Sequence, residues 1–171
     1  MERLFFAVWP DADAAGRLGA LAREIAVAAD GKPVPAAKIH LTLAFLGALD
    51  PNGVALAHEA GAAIRAAAFD LALDRLGSFR GARVAWAGCG AVPAELARLQ
   101  VALANELRSR AFELEERDFT PHVTLARKIR RAVERRATEA IAWRADALTL
   151  VRTEAGSGGY SVVERWKLDG P

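Results

Sequence analysis

Of the 171 residues only one is cysteine, one is tyrosine, one is methionine and three are histidine. A single Cys89, set in "VAWAGCGAV" with no second thiol at redox or metal-ligand spacing, excludes an internal disulfide framework and reads as a buried, inert thiol. Long apolar runs are also missing. The hydrophobic fraction of 53% comes largely from alanines set among charged residues, and no stretch approaches the roughly 18 apolar residues of a membrane span. The opening "MERLFFAVWPD" has one arginine, a short apolar stretch and an aspartate where a small-residue cleavage site is wanted. No export signal is read there, and a soluble cytoplasmic protein with no membrane contact is expected. Neither sign of charge dominates: 23 Lys and Arg face 21 Asp and Glu, a net charge of +2. Although the pI is near 9.0, no strong global field for nucleic acid exists, so any preference for anions is local. The length favours one domain, or two small lobes sharing a core, which buries roughly 70% of the unfolded surface.

What is present alternates between strand and helix patterns. Leu4 to Trp9 is an aromatic-rich strand; Asp11 offers a cap to "ADAAGRLGALAREIAVAAD", whose Leu18, Leu21, Ile25 and Ala29 recur at helical spacing, with Gly31 as the stop. Past "GKPVPAAK" comes a strand from Ile39 to Leu46, then a helix opening near Pro51, then "FDLALDRL" with strand alternation. From about residue 81 the order begins again. "ARVAWAGC" is a strand, "PAELARLQVALANELRSRA" a helix, "TPHVTLAR" a strand and "RRAVERRATEAIA" a helix, before the strands "DALTLVRT" and "YSVVERWKL". This predicts a single domain, 1–171, of two pseudo-repeated lobes, about 1–80 and 81–171.

Two of the scarce histidines occupy matching places in that repeat. His-Leu-Thr-Leu at 40 to 43 is answered by His-Val-Thr-Leu at 122 to 125, 82 positions on. Residues i and i+2 of a strand share a face, so His40 joins Thr42 and His122 joins Thr124, while Leu41, Leu43, Val123 and Leu125 turn to the core. If a pseudo-twofold relates the lobes, the two polar faces meet across a cleft. One of two imidazoles, with reference pKa near 6.5, then serves as general base and the other as general acid, each contributing roughly 10²- to 10⁴-fold. Threonine hydroxyls suit the oxygens of a phosphoryl group. No third histidine or well-spaced carboxylate completes a metal set, so the residues point to attack at phosphorus with no metal and no cofactor.

The stretches "KIHLTLAFLG" and "FTPHVTLAR", with "RLFFAVWP" and "GGYSVVERWKL", resemble the RNA 2′,3′-cyclic phosphodiesterases, also called LigT-type 2′-5′ RNA ligases, of the two-histidine phosphoesterase superfamily. The resemblance runs over nearly the whole chain. It implies an α+β, bilobal fold with antiparallel sheets lining a central cleft and helices outside. It also implies hydrolysis of RNA or nucleoside 2′,3′-cyclic phosphate ends to a 2′-phosphate, a weak reversible 2′-5′ joining of RNA ends, and a monomer that needs no metal. Carried over by position, His40 and His122 match the catalytic histidines, and Thr42 and Thr124 their phosphate-binding partners. His122 is assigned to activate water and His40 to protonate the departing 3′ oxygen, although the near-symmetric motif permits the reverse. Arg127, five residues past His122, faces away from it on an unbroken strand, and a strand end or bulge would turn it to the phosphate. Phe45, five past His40, matches an aromatic that stacks on the terminal base, with a core role as the plain alternative.

Other features carry less. His58, in a helix pattern without a threonine partner, is a surface or packing residue. The basic run "RKIRRAVERR", with Arg130, Arg131, Arg135 and Arg136, suits a solvated helix better than an RNA track because Glu134 and Glu139 interrupt it. "GSGGY" lacks the Lys-Ser/Thr of a P-loop and reads as a hairpin; where the family often has Gly-Pro-x-Tyr, Gly158-Gly159-Tyr160 leaves the role of Tyr160 open. The four tryptophans are assigned to packing. Two rivals stay open: a non-catalytic RNA-binding module, and a phosphodiesterase for another substrate such as an ADP-ribose cyclic phosphate or a 2′-5′ oligonucleotide.

Overall fold

The computed structural model describes residues 1–170. Nine strands join one antiparallel sheet, and three α-helices cover it, an α+β arrangement among the described residues. The strands are β1 (Glu2–Val8), β2 (Lys32–Pro33), β3 (Leu41–Leu49), β4 (Phe69–Phe79), β5 (Val84–Gly88), β6 (His122–Arg127), β7 (Arg136–Ala145), β8 (Ala147–Thr153) and β9 (Tyr160–Lys167). The helices are α1 (Ala12–Ala29), α2 (Pro51–Ala63) and α3 (Ala94–Ser109). Spatial order is β7-β4-β5-β6-β3-β1-β8-β9, with β2 beside β6.

The helix termini follow from local chemistry. Asp11 accepts from the Ala14 amide at 2.8 Å and Asp50 from the Gly53 amide at 2.7 Å, each occupying an orphan donor of a first turn. At the far end of α1 the left-handed residue is Asp30, φ 50°, rather than Gly31. Gly31 is a glycine for a different reason: a Cβ there would press on Ile129 and on the Arg127 carbonyl.

The sheet divides at its centre. Between β3 and β6 a single residue pair, Leu41 with Val123, is in register. Both residues are fully buried. On either side of this pair the strands separate, so β3-β1-β8-β9 and β7-β4-β5-β6 form two wings joined at one point.

These wings are not the two halves of the chain. Strand β4 belongs to the first half by position but pairs with β5 and β7, whereas β8 and β9 come from the second half and pair onto β1. Helices are exchanged as well: α1 packs on β6 and α3 packs on β3 and α2. The boundary near residue 80 therefore falls inside the β4–β5 hairpin of one wing. A short turn makes those neighbours pair antiparallel, which a reading by repeats overlooks.

A second correction concerns "RRAVERRATEAIA", expected as a helix. Residues 128–135 are loop, and β7 occupies Arg136–Ala145. The strand period is visible at its end, where Ile141, Trp143 and Ala145 are buried and the residues between them exposed. Pairing only with β4, β7 is an edge strand, and Arg136, Glu139 and Arg144 on it are the charges that discourage further pairing. Their spacing imitated a solvated helix.

Most core side chains, among them Leu4, Phe6, Leu18, Ile25, Leu73, Leu99, Leu103 and Leu150, lie between the sheet and the helices. A smaller cluster, Phe5, Ala7 and Val151 with Trp9 and Tyr160, lies on the opposite face of β1 and β8, where the cleft is.

Candidate functional site

The Leu41–Val123 pair determines how the polar groups meet. One step either side of it, antiparallel register sets His40 across from Thr124 and Thr42 across from His122. The two His-x-Thr strands are thus related by a local twofold through a hydrophobic pair, and each histidine faces the other strand's threonine. All four side chains are half-buried.

Both imidazoles are oriented in the same way. His40 Nδ1 lies 2.7 Å from the Lys38 carbonyl and His122 Nδ1 lies 2.9 Å from the Thr120 carbonyl, in each case two residues back. A carbonyl only accepts, so each Nδ1 carries its proton and donates it, leaving Nε2 as the basic nitrogen of the neutral ring. Main chain thereby selects one tautomer twice.

The surroundings differ between the two. His40 stacks against both Phe5 and Trp9, with each ring centroid at 4.8 Å, and meets Tyr160 edge-on at 5.3 Å. His122 has one aromatic neighbour, Phe79, edge-on at 5.1 Å. Burial in the aromatic cage, with the positive charges of Arg127 and His122 adding to it, lowers the His40 pKa to about 4, against the opposing pull of its bond to the Lys38 carbonyl. Unliganded His40 is therefore neutral at pH 7.

Arg127 enters this charge balance because β6 is bulged. Ala126 pairs with Ala85 but Thr124 with Trp86, so Leu125 is an extra residue. Leu125 and Ala126 are both buried, and the alternation restarts with Arg127 on the side of His122 and Thr124. The same device recurs on β3. Phe6 pairs with Ala44 and Ala7 with Thr42, so Leu43 is the extra residue and Phe45 returns to the His40 side. Phe45 is 63% exposed and its ring lies 6.0 Å from Phe5, which removes the core alternative. Position i+5 from each histidine is thus equivalent in backbone and opposite in character: a cation on one wing, an aromatic ring on the other.

Several cleft residues escaped sequence reasoning. Trp9 is assigned to packing and Phe5 is not singled out, although alternation against the buried Leu4, Phe6 and Val8 already sets them on the other face. Trp86 lies beneath the Arg135 guanidinium, 5.5 Å from its ring centroid, and flat against Gly77, where any Cβ would collide with the indole. Tyr160 closes the His40 cage, and the preceding loop is held by Lys38, whose ammonium donates to the Gly158 carbonyl at 2.5 Å. Gly156 and Gly158 have φ of 84° and 65°, the left-handed conformations a tight hairpin there requires.

The remaining candidates lie elsewhere. His58 is on α2, edge-on to Trp166 at 5.3 Å and 3.5 Å from Glu164, far from the cleft in the fold. Burial raises the Cys89 thiol to about 11, with Asp74 adding to the shift, so it stays protonated. Among the described residues no three His, Cys, Asp or Glu side chains converge as a metal site would need, and no helix is long and apolar enough to cross a membrane.

A two-winged antiparallel sheet that presents paired His-x-Thr strands, with each Nε2 available, defines a class of acid–base site built by pseudo-symmetry. The chain belongs to the 2′-5′ RNA ligase superfamily, whose family model matches residues 10–157. An RNA 2′,3′-cyclic phosphodiesterase of Escherichia coli is 38% identical over 107 residues, 60% of this chain and 58% of that one. One of Aeropyrum pernix is 37% identical over 116 residues, 66% of each chain. The matched stretches thus span about three fifths to two thirds of these relatives. In three dimensions the chain is similar to the crystal structure of E. coli LigT complexed with 3′-AMP, with TM-score 0.87, 31% identity and 98% of both chains covered.

Proposed function

We propose that the protein hydrolyses the 2′,3′-cyclic phosphate at RNA or nucleoside ends to a 2′-phosphate. The observation that carries this reading is the Leu41–Val123 register, which sets two histidines of one tautomer about a local twofold, each opposite a threonine. Such an arrangement brackets a phosphorus atom from opposite sides, as in-line displacement requires. The RNA 2′,3′-cyclic phosphodiesterases it resembles, and the 3′-AMP complex of a similar fold, support the substrate class.

In the proposed reaction His122, the more open imidazole, accepts through Nε2 a proton from the attacking water. The new P–O bond forms as the P–O3′ bond breaks, and His40, which takes a proton onto Nε2 when the phosphate charge binds beside it, delivers that proton to O3′. Thr42, Thr124 and Arg127 hold the non-bridging oxygens, the guanidinium neutralising the charge that builds there. Phe45, exposed at the cleft mouth, stacks on the terminal base. A 5′-hydroxyl in place of water gives a 2′-5′ linkage by the same steps, so weak joining of RNA ends accompanies hydrolysis. Main-chain selection of Nδ1–H, a buried acid and an anion clamp suffice for this chemistry without a cofactor.

The deciding experiment is incubation with adenosine 2′,3′-cyclic phosphate and identification of the product. A 2′-phosphate is expected; a 3′-phosphate would reverse which oxygen leaves, and an unchanged substrate would leave the non-catalytic RNA-binding reading.

A further inference from the structure

The loop that replaces the expected helix, residues 128–135, does not lie free. The Ile129 amide donates to the Arg83 carbonyl at 3.1 Å, and the Arg130 and Arg131 amides both donate to the Ala29 carbonyl at 3.0 Å. Arg83 in turn donates from its guanidinium to the Lys128 and Ile129 carbonyls at 3.2 and 3.1 Å, and Ser78 Oγ bonds both backbone groups of Val133, at 2.9 and 3.0 Å. The loop is thus fastened to the β4–β5 hairpin and to the end of α1 mainly by main chain. Its own arginine side chains are exposed, Arg130 near Asp30 and Arg135 over Trp86.

Between hairpin and loop lies an open groove of about 420 Å³, lined by Ser78, Arg80, Arg83, Ile129, Arg130, Arg131 and Ala132. Four of these residues are arginines, and Lys128 adjoins them. The carboxylate paired with this set is Asp30, 3.7 Å from Arg130, an exposed pair of little strength. A chain with net charge +2 therefore concentrates cations at one place. That place follows the candidate site along the chain: β6 runs from His122 to Arg127, and Lys128, Arg130 and Arg131 come within the next four residues, at most about 13 Å of chain.

We infer that this groove is a track for the phosphodiester backbone of single-stranded RNA, holding the nucleotides that precede the cyclic end. The inference rests on the proposed function for which end of the RNA enters the cleft. Point charges on long side chains, with no aromatic ring among the lining residues, read phosphates and not bases, so the track is indifferent to sequence. The groove separates the substrates the enzyme turns over: a mononucleotide uses the cleft alone, an RNA end uses cleft and groove.

The test combines Arg80→Ala, Arg130→Ala and Arg131→Ala, leaving Arg83 to hold the loop. Binding of a fluorescein-labelled eight-nucleotide RNA with a 3′-phosphate is followed by anisotropy between 50 and 300 mM salt, and hydrolysis of adenosine 2′,3′-cyclic phosphate is measured beside it. The triple variant should bind the RNA at least about tenfold more weakly, with the slope of log affinity on log salt reduced by about 2, close to 0.7 for each of three contacts. Its mononucleotide kcat/KM should match wild type. Unchanged RNA affinity and slope would overturn the track, as would equally tight, arginine-dependent binding of a glutamate-rich peptide of the same charge. If wild type leaves the mononucleotide intact while the anisotropy shift is seen, the proposed reaction fails and the RNA track stands.

Discussion

At the scale of single residues, His40 carries the most consequence. Its pKa of about 4, below an unfolded value near 6.5, means that the unfolded chain takes up this proton first as pH falls. The associated stability is fully present above pH 6.5 and is lost as pH drops toward 4, about 3 kcal/mol at ~1.36 kcal/mol per unit. His40→Gln should flatten the acid side of a denaturation midpoint plotted against pH; an unaltered slope would mean His40 is not the group responsible. The same depressed pKa bears on the acid role. A phosphate charge about 4 Å away at an effective dielectric near 20 is worth about 4 kcal/mol, or roughly three pKa units, enough to raise the His40 pKa to about 7 and let the ring carry a proton. Binding of 2′-AMP should therefore pull a proton onto His40, visible as an upward shift of its ring resonance in an NMR pH titration, and a pKa that stays near 4 would give the acid role to His122. Replacing either His40 or His122 by Ala should cost at least about 10²-fold in turnover of the cyclic phosphate with the fold intact by circular dichroism.

At the scale of elements, bulges do what strand alternation cannot. Leu43 and Leu125 are the extra residues that bring Phe45 and Arg127 to the faces of His40 and His122. Arg127→Ala should raise KM or lower kcat for a cyclic phosphate by about tenfold or more while leaving the melting temperature near wild type, since the side chain is exposed. Gly77 belongs to the same scale: it lets Trp86 lie flat on the sheet beside Thr124. Gly77→Ala should destabilise by about 1–3 kcal/mol through displacement of the indole, read as a lower denaturant midpoint. The paired His-x-Thr faces were legible beforehand because period two needs only local sequence. Arg127 was legible only as a conditional, because a bulge is settled by how a strand registers with its neighbour. The run from Arg130 to Glu139 was misread because its charges follow the needs of a pinned loop and an edge strand, both defined by contacts with β4, β5 and α1.

At the scale of the whole molecule the two wings are interlaced. Strand β4 crosses to one wing, β8 and β9 return to the other, and α1 and α3 each cover strands of the wing opposite to their chain half's share. Separately produced fragments 1–80 and 81–171 should each be largely unfolded, and the intact chain should melt in one transition seen alike by tryptophan fluorescence and far-ultraviolet circular dichroism. Two transitions, or a folded fragment, would restore the halves as independent lobes.

The sequence alone determined the chemistry on offer: two histidines with a threonine two places on, backed by Leu41, Leu43, Val123 and Leu125, since alternation along a strand is a property of the strand itself. Its kinship was equally legible in those stretches. Only the tertiary structure decided which charge state His40 holds, which ring faces join the cleft, where Arg127 points and that a basic groove adjoins it. Each of these depends on desolvation, register or proximity between segments distant in the chain, and such quantities come into existence only when the sheet closes around the Leu41–Val123 pair.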